Sequence, residues 1–176
     1  MVTTSPLKKG ENDLYLNILP KATLRALEKC TEINFLLEGK WYLAGGTALA
    51  LQAGHRVSVD LDFFTEEKDF DIVKVQKLLS SRGEWVTSSS SEGTLYGEFL
   101  GAKVSFIAYA FFKPGKEVRK YGGISILTLA DIAVMKVTAI SQRGRKRDFF
   151  DLYWICQNIN PLSEIFSCVD EQYTIR

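Results

Sequence analysis

The order of elements predicts an α+β fold: a mixed sheet flanked by helices, followed by a helical C-terminal lobe. Three observations carry this. Helical and strand patterns alternate over the first half of the chain, strands then dominate, and strong helical segments close it. With 176 residues, 46% hydrophobic and 24% charged, the chain suits one compact domain or a domain with two lobes, and its core needs no disulfide staple. The expected division is a flexible tail over 1–12, a core over 13–127 and a helical lobe over 128–176 packed on that core.

After Pro20, Lys21 to Glu38 has helical spacing of Leu24, Leu27, Ile33, Leu36 and Leu37. Trp41 to Ala44 is a short apolar strand running into Gly45-Gly46, and Thr47 to Ala53 is a compact helix ended near Gly54. Val57 to Phe64 reads as the second strand, with Val59, Leu61 and Phe63 toward a core. Asp71 to Ser81 is an amphipathic helix, Ile72, Val75, Leu78 and Leu79 inward. Glu84 to Thr87 is a strand and Ser88 to Gly93 a polar loop. Leu95 to Leu100 and Lys103 to Ala110 form a hairpin through Gly101. Lys113 to Gly123 is a charged, Gly-rich loop before a short strand at Ile124 to Leu127. Thr128 opens a helix to about Arg143, with Asp131 placed as a capping-box partner. Gly144 turns into a last strong helix over Lys146 to Asn158, and one further short helix fits after Pro161.

Bulk properties exclude several chemistries. The net charge is +1, so any nucleic-acid contact must use a local patch. Cys30, Cys156 and Cys168 form no C-x-x-C pair and read as free thiols of a reducing compartment. The N-terminus lacks the apolar core of a signal peptide, and no apolar run reaches membrane-spanning length, so a cytoplasmic protein with no membrane partner is expected. The single histidine, His55, leaves no His pair for zinc, and no G-x-S-x-G accompanies it.

The chemistry concentrates in GGTALALQAGHRVSVDLDFF, residues 45–64. On a strand, Asp60 and Asp62 would point to one face, roughly 6–7 Å apart along the chain. Two such carboxylates repel unless a cation lies between them. Mg²⁺ suits one or two carboxylates plus waters and substrate phosphates. Gly45 and Gly46 would let backbone N–H groups approach those phosphates at a helix N-terminus, and Thr47 would add a hydroxyl and help cap the helix. Asp69 and Asp71 share the spacing but precede an amphipathic helix, so capping explains them.

These residues resemble the active-site signature of the nucleotidyltransferase superfamily that includes DNA polymerase β, and more closely the AbiEii/AbiGii-type nucleotidyltransferase toxins. A second half of that pattern lies in DIAVMKVTAISQRGRKRDFFDLYWI, with Lys136 on one helix and Arg147-Asp148-x-x-Asp151 on the next. The resemblance runs from about Tyr42 to Tyr153 and implies a nucleotidyltransferase-like sheet.

The activity it implies is transfer of an NMP from an NTP to an acceptor, with Mg²⁺ or Mn²⁺ as cofactor. Asp60 and Asp62 would hold the metal, and Gly45, Gly46, Thr47, Arg56 and Ser58 the nucleotide. Lys136, a lysine within an apolar helix stripe, would offset developing phosphate charge. In the resembling toxins the position of Asp148 is an active-site acid, which implies a base for the acceptor here. The tRNA 3′ end and a separately encoded antitoxin are the partners implied. Arg143, Arg145, Lys146 and Arg147 would hold triphosphate or an RNA backbone. The strand expected beside the two acids carries Ser105 and no third acid, which leaves one or two metals open. The alternatives are a small-molecule nucleotidyltransferase and a catalytically silent module that keeps the fold.

Overall fold

A computed structural model describes residues 13–38, 40–115 and 117–174; the expected tail over 1–12 lies outside them. Among the described residues, seven strands form one mixed sheet. The central strands are β1 (Trp41–Ala44), β2 (Leu61–Thr65) and β5 (Ala102–Ala108). β1 runs antiparallel to β2, and β2 parallel to β5. On one side β3 (Trp85–Ser91) and β4 (Thr94–Phe99) continue the sheet as antiparallel neighbours. On the other, β7 (Ile124–Ile126) pairs parallel with β1, and β6 (Arg119–Tyr121) closes the edge.

The helices are α1 (Lys21–Cys30), α2 (Asn34–Leu37), α3 (Gly45–Ala53), α4 (Ile72–Ser80), α5 (Leu129–Arg143), α6 (Lys146–Asn158) and α7 (Leu162–Gln172). None is long and apolar enough to cross a membrane among the described residues. α3 is buried on nearly every side, with Ala48, Leu49, Ala50 and Leu51 fully covered. An Ala/Leu-rich helix has no polar face to present, so it sits between the sheet and α5 and α6. α5 starts on a Thr128 cap: the Asp131 N–H donates to Thr128 Oγ1 at 3.2 Å, and that hydroxyl donates to the Asp131 carboxylate at 2.8 Å, a variant of the capping box in which the hydroxyl rather than the Thr128 N–H is the second donor. α4 is capped by Asp71, whose side chain accepts from the Lys74 N–H at 2.9 Å.

Four local expectations are corrected. The helix expected over 21–38 breaks at Thr31, whose hydroxyl donates to the Glu28 carbonyl at 2.7 Å, and Ile33 is extended and buried. The second strand begins at Leu61, not Val57. Residues 57–60 find side-chain donors instead of a ladder: Thr23 Oγ1 donates to the Val59 carbonyl at 2.9 Å, and the Thr47 hydroxyl donates to the Asp60 carbonyl. Val59 is consequently 43% exposed rather than in the core, while Leu61 and Phe63 are fully buried. The polar stretch from Ser88 is strand through Ser91, paired with β4 across a bulge at Thr87–Ser89. The expected loop before Gly123 contains β6, which turns back on β7 as an antiparallel pair. The three cysteines are free, and burial pushes the Cys30 thiol up to about 12, so it packs as an apolar side chain.

Candidate active site

The β1–α3 turn sets the site because its glycines let three side chains close on the backbone. Gly45 has φ 70°, and a Cβ there would lie 2.9 Å from Asp62 Oδ2. A Cβ on Gly46 would lie 2.5 Å from Arg56 Nη2 and 3.3 Å from Ser58 Oγ. Gly45→Ala is therefore expected to cost about 1–2 kcal/mol from the left-handed backbone alone and to displace the Asp62 carboxylate. Urea unfolding measures it, and an unchanged midpoint would show that the turn relaxes freely.

Thr47 is buried and does not cap α3. Its Oγ1 lies 2.9 Å from Ser58 Oγ and holds the Asp60 carbonyl. Its work is to fix the loop that carries Arg56, Ser58 and Asp60. Asp62 stands mid-strand between Ala44 of β1 and Ser105 of β5. The Ser105 hydroxyl donates to Asp62 Oδ1 at 2.6 Å. Burial and the neighbouring Asp60 raise the Asp62 carboxyl above its ordinary value, against the lowering effects of Ser105, Lys136 and Arg143.

Behind this carboxylate pair lies a buried charge network. Lys136 Nζ is 2.7 Å from Asp148 Oδ1 and 2.8 Å from Asp151 Oδ2. Arg56 grips Asp151 with two N–H groups, both at 2.7 Å. His55 Nε2, the third partner of Asp151, lies 2.9 Å from it, and its ring lies against Trp154 with centroids 5.2 Å apart. Arg143 Nε donates to Asp148 Oδ2 at 3.1 Å. Lys136, Asp148 and Asp151 are all buried. Burial alone would raise both carboxyls, but the Lys136 and Arg143 bonds hold Asp148 below the usual carboxylate range. His55, Arg56 and Lys136 hold Asp151 further below it.

Carboxyls depressed in the folded state contribute stability that is complete above their unfolded value and is lost as pH falls. Carboxyl-carbon NMR is expected to show Asp151 still ionised at about pH 3, below the ordinary value near 3.9. A mid-range titration at that carbon would contradict the network.

Two adjoining clefts share Gly46, Asp62, Lys136 and Arg143. The polar one, about 150 Å³, adds Arg56, Ser58, Asp60, Arg145, Arg147 and Asp148. The apolar one, about 190 Å³, is lined on its far side by Phe64, Ile107, Tyr109, Ile132 and Met135. An acidic pair thus faces a wall of arginines beside an apolar recess, a shape and charge pattern that suits a nucleotide.

Residues 30–94 and 103–174 match the protein family described as the nucleotidyl transferase AbiEii toxin of type IV toxin–antitoxin systems. The chain belongs to this family. It is 38% identical over 160 residues to the uncharacterized protein aq_aa25 of Aquifex aeolicus (strain VF5), across 88% of this chain and 76% of that one. Among solved structures it is similar to a nucleotidyltransferase candidate from H. pylori, 18% identical with a TM-score of 0.55, covering 86% of this chain and 80% of the other. It is also similar to the Megavirus polyadenylate synthase, 15% identical with a TM-score of 0.51, over 77% of this chain and 32% of that one. At these identities the structural likeness is one of fold.

As an AbiEii-family nucleotidyltransferase, the chain brings Gly46, Arg56, Ser58, Asp60, Asp62, Lys136, Arg143, Arg145, Arg147 and Asp148 to one cleft, and Gly45 to its apolar neighbour. Lys146 does not join them; its ammonium stands 5.7 Å over the Phe150 ring. Thr47 acts behind the cleft wall rather than in it. Sequence reasoning named Asp151 in the resembling motif and Ser105 beside the acids without giving either a role, and it missed His55 as part of the site and Tyr96, which lines the polar cleft from β4. The i, i+3 spacing of Asp148 and Asp151, which puts both on one helix face, was the available signal for Asp151. Tyr96 lies between the two family-matched segments and had none.

Proposed function

We propose that this nucleotidyltransferase moves an NMP from an NTP to the 3′ end of an RNA, with tRNA as the acceptor class, as the toxin of a toxin–antitoxin pair. The observation that carries it is the polar cleft, where Asp60 and Asp62 face Arg56, Arg143, Arg145 and Arg147. The phosphates of an NTP and of an RNA strand suit such a wall, and a small cationic acceptor would not be drawn to it.

The residues fit a divalent cation. Asp62 Oδ1 takes the Ser105 hydroxyl while Oδ2 turns to the Gly45 turn. Its raised carboxyl reflects burial and, secondarily, the charge of Asp60, which Ser105, Lys136 and Arg143 offset only in part. Among the described residues no group of three or more His, Cys, Asp or Glu side chains forms a metal cluster. Asp60 and Asp62 would hold Mg²⁺ or Mn²⁺ with phosphates and water as the other ligands. A bound ion there would neutralise charge on the α-phosphate and the leaving group.

The chain's own residues do the rest. The Gly45-Gly46 turn and Arg56 receive the β- and γ-phosphates, and the apolar recess beside Phe64, Tyr109 and Met135 receives the nucleoside. The acceptor hydroxyl oxygen bonds to the α-phosphorus as the bond to the bridging oxygen breaks. Pyrophosphate leaves, and the hydroxyl proton passes to solvent. Asp148 is a poor base for that proton because its carboxyl is held low; its role is to hold Lys136 and Arg143 in place along the phosphates. Catalysis then rests on positioning and electrostatics.

Incubation with each labelled NTP, Mg²⁺ and total tRNA tests the reading. Label joined to RNA 3′ ends, with one NTP preferred and no transfer in EDTA, is the expected result. Label moving only to small molecules, or to nothing, would overturn the acceptor. A cytoplasmic setting and a separately encoded protein antitoxin complete the proposal; co-expression with that antitoxin should relieve growth arrest.

A further inference from the structure

The first two turns of α6 carry an unusual surface. Phe149, Phe150 and Tyr153 are 52%, 59% and 65% exposed. With Gly144 and Lys146 they line a shallow hollow of about 520 Å³. Lys146 stands over the Phe150 ring, and Arg147 is also exposed. The two acids of this stretch, Asp148 and Asp151, both point inward and are neutralised there. The outer face is thus three aromatic rings and two cations with no carboxylate among them. Arg147 reaches from the same turn to within 3.8 Å of Asp60 Oδ2, so this face begins where the polar cleft ends.

Exposed rings cost solvation unless something covers them. Rings interleaved with cations are what an unpaired nucleic-acid strand requires: bases stack on the rings and phosphates lie along the cations. We infer that this face of α6 is a stacking platform for the unpaired nucleotides just upstream of the acceptor 3′ end, with Phe150 and Tyr153 as the stacking rings and Lys146 and Arg147 on the backbone. The inference rests on the RNA-acceptor reading and gives it a route: the strand crosses α6 and delivers its terminal hydroxyl to Asp60 and Asp62. The absence of an exposed acid favours RNA over a protein partner, which would need no such one-sided charge.

The test uses an RNA hairpin with a short unpaired 3′ tail carrying 2-aminopurine, beside a blunt hairpin of the same stem. The wild-type chain is expected to bind the tailed RNA about tenfold more tightly than the blunt one and to quench the probe by stacking. Phe150→Ala and Tyr153→Ala should each lose most of that preference and the quenching. Phe150→Trp should keep both, while Phe150→Leu, apolar but not aromatic, should lose both. Each of these side chains is more than half exposed, so melting temperatures should stay close to wild type and report any misfolded variant. Tailed RNA bound equally by wild type, Phe150→Ala and Phe150→Leu would overturn the platform while leaving RNA as acceptor, and would turn this face toward a protein partner. Wild-type protein that binds neither hairpin would overturn both readings.

Discussion

Asp62→Asn is expected to cut nucleotidyl transfer by roughly 10³ while leaving the metal-free protein as stable as wild type or more so. The two halves of this prediction have separate causes. The amide keeps the shape of the carboxylate, and its oxygen can still accept the Ser105 hydroxyl now 2.6 Å from Oδ1. It removes the charge that burial and Asp60 disfavour, which is why the wild-type carboxyl is raised. Folding without metal therefore loses an unfavourable ionisation. Transfer loses a metal ligand and the charge opposite the arginine wall. Turnover with Mg²⁺ and thermal melting in EDTA measure the two. A large drop in melting temperature would make Asp62 structural, and near-normal turnover would remove it from the reaction.

How much of this was legible in sequence depended on whether the deciding contacts were local. The bounds of α6 and the Thr128 cap of α5 follow from residues within one or two turns, so period and cap chemistry find them. The pairing of β3 with β4, and of β6 with β7, depends on backbone ladders at sheet edges. Edge strands with both faces exposed carry no alternation, and so Ser88 to Ser91 and Arg119 to Tyr121 look like loops. Val57 to Asp60 failed the other way. Apolar alternation was present, but the Thr23 and Thr47 hydroxyls took the carbonyls a ladder would have used.

The site divides along the same line. Gly45, Gly46, Asp60 and Asp62 lie close in sequence, and their chemistry could be argued from spacing. The partnership of Arg56 and His55 with Asp151 spans 95 and 96 residues. Nothing in local pattern announces a pairing at that distance. Ser105 illustrates a subtler limit. Its position beside Asp62 was foreseen as the place of a missing acid, yet the hydroxyl there serves as a donor that fixes Asp62.

Lys136→Met gives the second large effect, and its expected outcome changes once the partners are known. As a lone cation near phosphates, Lys136 would matter for turnover alone. In the fold its ammonium sits between two buried carboxylates, 2.7 and 2.8 Å away. Removing it leaves Asp148 and Asp151 with an excess of buried negative charge. Breaking a buried pair typically costs about 3–5 kcal/mol. The expected loss here is at the low end, about 3 kcal/mol, because Arg56 and His55 still hold Asp151 and Arg143 still reaches Asp148. The Asp148 carboxyl should also rise toward its ordinary value, since the Lys136 bond is the largest influence lowering it. Urea unfolding at neutral pH and carboxyl-carbon NMR read the two changes. Adding Asp148→Asn to Lys136→Met should return part of the lost stability, because it removes a buried charge that the half-exposed Arg143 offsets only in part. Stability within about 0.5 kcal/mol of wild type, with turnover alone reduced, would show that the ammonium is spent on the nucleotide and not on the network. A joint fall in stability and turnover, partly rescued by the second substitution, would show that Lys136 acts by holding the α5–α6 junction rigid beside the cleft.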